Sequence, residues 1–145
     1  SLIAFEGQAG TTAYIALSAP PLGPDFPGTY SLEVAPHRTS EIQTLALAEP
    51  IVLSALDLSI AFEMGSDTIT SISFRILDAS GTPMWSPIYG EVWTQSLAPT
   101  ASDDGYTAVS RLDLSSFDPD TIHLIEVRLI DSLNIYSEAK STLIP

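Results

Sequence analysis

Apolar and polar residues alternate with period two along much of this chain, and a period of 3.6 is nearly absent. Successive side chains of a strand point to opposite faces, so this alternation marks sheets with one face in a core. The pattern is clearest in Leu56, Leu58, Ile60, Phe62 and Met64, interleaved with Asp57, Ser59, Ala61 and Glu63. Ile72, Phe74 and Ile76 repeat it around Ser73 and Arg75. A third run sets His123, Ile125, Val127 and Leu129 on one face, with Leu124, Glu126, Arg128 and Ile130 on the other. The second face is half apolar, which predicts a central or partly covered strand. Weaker strand patterns cover residues 2–5, 12–17, 30–34, 88–93, 107–114 and 136–143. The best helical candidate is 39–48, where Ile42, Leu45 and Ala46 could share a face, but it is short and lies between Pro36 and Pro50.

Turn-forming residues separate the runs. Met64-Gly65-Ser66-Asp67, Asp78-Ala79-Ser80-Gly81, Asp103-Asp104-Gly105 and Ser116-Phe117-Asp118-Pro119-Asp120 each stand at a strand end. Short strands spaced by such turns predict an all-β, antiparallel β-sandwich. Prolines divide the chain unevenly. Pro20, Pro21, Pro24 and Pro27 make residues 20–28 stiff and unsuited to a central strand. Residues 50–145 therefore read as the sandwich domain. Residues 1–49 read as an N-terminal extension or arm with possible edge strands.

Part of the chain resembles the fibronectin type III and related immunoglobulin-like domains. Asp118-Pro119-Asp120-Thr121, then His123, Ile125, Val127, Leu129 and Asp131, look like the loop and sixth strand of that family. Leu133-Asn134-Ile135-Tyr136-Ser137 resembles the turn into its last strand. The run from Leu56 to Phe62 stands where the second strand belongs, and the one from Ile72 to Ile76 where the third does. His123 occupies the place of the family's corner tyrosine, and Phe62 lies near that of its core tryptophan. The resemblance implies an immunoglobulin-like sandwich used for recognition and spacing, without an activity of its own. A fold of this kind does not dictate function.

Charge and composition narrow the functions. The chain has 145 residues, with 18 acidic against 5 basic ones and a net charge of −13. That balance argues against a nucleic-acid partner, whose binding needs Lys and Arg on phosphates, and against anionic membrane surfaces. There is no cysteine, which excludes disulfides, thiol catalysis and cysteine-ligated metals. No apolar run approaches the roughly 20 residues that span a bilayer, and no secretory signal is read in Ser1-Leu2-Ile3-Ala4-Phe5-Glu6.

Chemistry has few footholds. His37 and His123 are the two histidines, both expected in structural roles, and no G-x-S-x-G elbow is present. Loop carboxylates at Asp103/Asp104 or Asp118/Asp120 suit calcium in type but lack the EF-hand spacing. Lys140 is the sole lysine, and no phosphate-binding G-x-x-x-x-G-K occurs. The expectation is no catalytic residue, no metal and no cofactor. Two readings stay open for Trp85, Tyr89 and Trp93: they cap one end of the core, or they form a sugar platform or an interface hot spot. The partner-binding candidates are these three with Pro20, Pro21, Pro24, Phe26 and Pro27 in the arm.

The function expected is that of a non-enzymatic structural protein of a large assembly. A bacteriophage virion component fits best, as capsid decoration or cement, or as a tail accessory. Its partners would be further copies of itself or capsid and tail proteins. The chain reads as a complete small protein, Ser1 being what methionine removal leaves. The alternative is an extracellular carbohydrate-binding or adhesion module.

Overall fold

The computed structural model describes residues 36–145. The strands expected at 2–5, 12–17 and 30–34 lie outside the described residues, as do Pro20, Pro21, Pro24, Phe26 and Pro27. One compact unit, Arg38–Pro145, contains every described strand. The strands are β1 (Glu41–Leu47), β2 (Leu56–Glu63), β3 (Ile69–Leu77), β4 (Trp93–Ser96), β5 (Thr100–Ser102), β6 (Gly105–Leu112), β7 (Leu124–Asp131) and β8 (Lys140–Leu143). One 3-10 turn, Leu53–Ala55, precedes β2. Among the described residues no helix is long and apolar enough to cross a membrane.

Two four-stranded antiparallel sheets form a sandwich, ordered β1-β2-β6-β5 and β4-β3-β7-β8. This arrangement is compatible with an immunoglobulin-like architecture. Alternation places one face of β2, β3, β6 and β7 inside. Leu56, Leu58, Ile60 and Phe62 of β2 and Leu112 of β6 meet Ile72, Phe74 and Ile76 of β3 and Ile125, Val127 and Leu129 of β7. All are buried, and their apolar area removed from water drives closure at about 25 cal/mol per Å². A polar contact also joins the two sheets, where the buried Ser110 hydroxyl of β6 donates to Gln95 Oε1 of β4 at 3.2 Å. The central position expected for β7 is the one it takes, between β3 and β8, with Ile130 buried on its second face.

Three local expectations change. The helical candidate 39–48 is strand β1, paired antiparallel to β2 as the edge of the first sheet. A segment this short between prolines gains too little from internal helical bonds, whereas the open edge of β2 offers a ready ladder. This edge strand, 41–47, falls inside the segment 1–49 read from sequence as an extension with possible edge strands. The strand expected at 88–93 is a turn, and β4 begins only at Trp93. The last strand is shorter than 136–143: Tyr136 makes an isolated bridge to Ile130, and β8 runs from Lys140.

Candidate functional site

The long β3–β4 connection, residues 78–92, is where the molecule departs from regular alternation. It starts in a tight turn built on Asp78. Its Oδ1 accepts from the Ser80 hydroxyl at 2.6 Å and from the N–H groups of Ser80 and Thr82, each at 2.9 Å. These donors, the Ser80 hydroxyl foremost, hold the carboxyl below its usual range. On the adjoining β6–β7 connection, the Ser115 hydroxyl and N–H do the same for Asp113.

The lowered values set a sign for pH dependence. On acidification the unfolded chain takes up protons first, near pH 4. The stability contributed by these two carboxylates is therefore present at neutral pH and lost as pH falls through their lower folded values. Asp78→Asn is expected to lower the melting temperature at neutral pH by a small margin. That margin should shrink as pH is lowered from about 5 to about 2, as read by circular dichroism. A margin that grows on acidification would contradict the assignment.

Further along, Ser86 closes a small loop with Gly90. Each backbone N–H donates to the other's carbonyl, at 3.0 and 2.8 Å. Gly90 has φ +71°, a left-handed conformation that glycine adopts without penalty. The buried Ser86 Oγ accepts from Ile88 N–H at 3.1 Å and Tyr89 N–H at 3.3 Å, and lies 2.7 Å from Ser116 Oγ on the β6–β7 connection. Met84 reaches that connection too, accepting at its sulfur from the Thr121 hydroxyl at 3.8 Å.

This framework separates the three aromatic residues singled out from sequence. Trp93 is 9% exposed and belongs to the core, with its ring centroid 5.5 Å from that of Phe74 and 5.9 Å from that of Phe117. Tyr89 folds down onto it, stacked at 4.6 Å. Trp85 is 69% exposed. Ile88, not among the contact candidates read from sequence, is 71% exposed three positions further along, and Val92 is exposed near the end of the connection. The strand expected at 88–93 is interrupted by the turn at Gly90, and Tyr89 reaches Trp93 from that turn. Only Trp85 offers an open indole face. Large apolar side chains held outward by a hydrogen-bonded frame characterise contact surfaces, because little freedom is left to lose on docking.

Other candidates resolve into structure. His123 precedes β7; its N–H donates to Leu77 O at 2.9 Å and its carbonyl accepts from Ile144 N–H at 2.8 Å. Asp118 Oδ1 accepts from Asp120 N–H at 3.0 Å, which closes a turn. Asp103 and Asp104 are the exposed tip of the β5–β6 hairpin. A hollow of about 720 Å³ lies between β1 and β8. There Lys140 Nζ donates to the carbonyls of Ile42 at 3.3 Å and Gln43 at 2.6 Å, at the point where the β1 register shifts. Arg38 faces Glu63 at 3.9 Å in the same hollow, so its cations are matched locally and tie sheet edges.

No family model matches the chain, and no curated protein or solved structure does.

Proposed function

We propose that the protein is a non-enzymatic structural component of a large assembly, acting through protein–protein contacts, with the 78–92 connection as its contact element. The observation that carries this reading is the pair Trp85 and Ile88, 69% and 71% exposed on a loop whose backbone is pinned at Ser86 and Gly90. Aromatic anchors of this kind dominate binding energy at interfaces, since each removes a large apolar area from water on docking. The strand order supports an immunoglobulin-like sandwich of the fibronectin type III kind, a scaffold suited to presenting such loops. Within this reading a bacteriophage virion, with the protein as decoration or tail accessory, is the assembly that suits a cysteine-free sandwich of net charge −13.

The test compares incorporation of the full chain and its Trp85→Ala/Ile88→Ala variant when each is expressed in its source cells. Size-exclusion and sedimentation of the extract should place the parent in a large particle. The variant, with an unchanged circular dichroism spectrum, should be depleted there by at least about tenfold. A parent that runs as a monomer, or a variant incorporated equally well, overturns the reading.

A further inference from the structure

The charges around the exposed tip define what it can meet. The β3–β4 connection carries Asp78 and Glu91 and no lysine or arginine; the adjoining β6–β7 connection carries Asp113, Asp118 and Asp120 and again no lysine or arginine. The two connections are joined through Ser86–Ser116 and Met84–Thr121, so Trp85 and Ile88 rise from an acidic surround. Asp78 and Asp113 are held ionised by their own loops. Among the described residues none of the five carboxylates takes part in an ion pair. Beyond Val92, on the strand side, stand Arg75 and Arg128, with Arg75 paired to Glu126 at 2.9 Å.

We propose that the Trp85–Ile88 tip seats in an apolar pocket rimmed by lysine and arginine on a different protein chain. This inference rests on the loop being the assembly contact and adds the chemistry of the partner. A second copy of this chain does not supply that chemistry. It brings a further −13 and only five cations. Arg38 is engaged with Glu63, Arg75 with Glu126, Arg111 with Asp57, and Lys140 with the β1 carbonyls, which leaves Arg128. A two-fold contact through this loop would also set like carboxylates against one another, and like charges facing across an interface oppose its formation. Anionic lipid is disfavoured on the same ground.

The test is a selection of displayed random dodecapeptides on the immobilised full chain, with prior subtraction on the Trp85→Ala/Ile88→Ala variant. Both replaced side chains are exposed, so the variant should keep the fold, and circular dichroism verifies it. Enriched peptides are expected to combine two or more aromatic or aliphatic residues with net positive charge. Synthesised singly, they should bind the parent at least about tenfold more tightly than the double variant. Binding should weaken about threefold or more in Glu91→Gln/Asp120→Asn, and likewise as salt rises from about 0.05 to 0.5 M, because exposed charge pairs are screened. No enrichment, enrichment of neutral or acidic peptides, or equal binding to the double variant overturns the proposal. So does self-association in sedimentation that the double variant abolishes, which would make a second copy the occupant. Trp85-dependent flotation with phosphatidylcholine vesicles would instead make lipid the occupant, and also overturns it. Failure here with particle incorporation still dependent on Trp85 and Ile88 removes the cationic partner and leaves the assembly reading standing. Incorporation that ignores both residues removes the assembly reading itself.

Discussion

Trp93→Ala will lower the unfolding free energy by about 3–5 kcal/mol, whereas Trp85→Ala will change it by less than about 0.5 kcal/mol. The two tryptophans lie eight positions apart on one connection and opening strand, yet they do opposite work. Trp93 fills the space between Phe74, Tyr89 and Phe117, so its removal leaves a cavity walled by three aromatic rings. Trp85 is open to solvent, and its loss empties nothing. Trp93→Phe should cost distinctly less than Trp93→Ala. The indole Nε1 is buried without a hydrogen-bond partner among the described residues, so phenylalanine gives up area but also relieves an unsatisfied donor. Urea denaturation followed by circular dichroism measures all three variants. In Trp85→Ala the remaining tryptophan emission, from Trp93 alone, should be blue-shifted and lose its transition only with global unfolding. Equal costs for the two alanine variants would mean that the core assignment of Trp93 is wrong.

Gly65→Ala is expected to destabilise the fold by about 3 kcal/mol, at the upper end of the range for overpacking. A Cβ at this position would overlap the Arg38 carbonyl oxygen and lie within 2.8 Å of backbone atoms of Thr39 and Ser40. These neighbours are main chain and have no rotamer by which to move aside. The approach is close because the β2–β3 turn and the lead into β1 are hydrogen-bonded: Gly65 N–H donates to Ser40 Oγ at 2.9 Å, and Ser66 N–H to Arg38 O at 2.8 Å. The substitution should therefore loosen the start of β1 before the rest of the sandwich. Amide hydrogen exchange would show it as lost protection over 41–47, beyond the global change seen in β2 and β7. Unchanged protection and stability would contradict this packing.

The strands that carry strict alternation were legible in advance. Leu56–Glu63, Ile69–Leu77 and Leu124–Asp131 each contain a run whose apolar face turned out buried, because only one register puts every such residue inside. The turn at Asp103-Asp104-Gly105 was legible, whereas β5 on its far side, three exposed residues without alternation, was not, and Asn134, in the turn after β7, adopts φ 67° as asparagine readily does. The edge strand β1 was less legible. Its burial pattern has a register shift between Ile42 and Thr44, which breaks the alternation that would have marked it. The site was half legible. Spacing drew Trp85, Tyr89 and Trp93 together as a group, but periodicity carries no information about a turn that reverses the chain between Ser86 and Gly90. Ile88 was missed as a contact residue because it was read as the opening residue of a strand at 88–93. A Pro-Ile-Tyr-Gly turn sequence with two flanking tryptophans was the signal available.

The sequence by itself determined an all-β antiparallel sandwich, its principal inward faces and its acidic, cysteine-free character, since these follow from side-chain period and composition alone. Which aromatic ring faces water was decided only by the tertiary structure. Burial of Trp93 depends on Phe74 and Phe117 arriving from distant parts of the chain, and exposure of Trp85 and Ile88 depends on Ser86 meeting Ser116 across two connections. Alternation is a property of neighbours along the chain, whereas a contact surface is made by residues that only folding brings together.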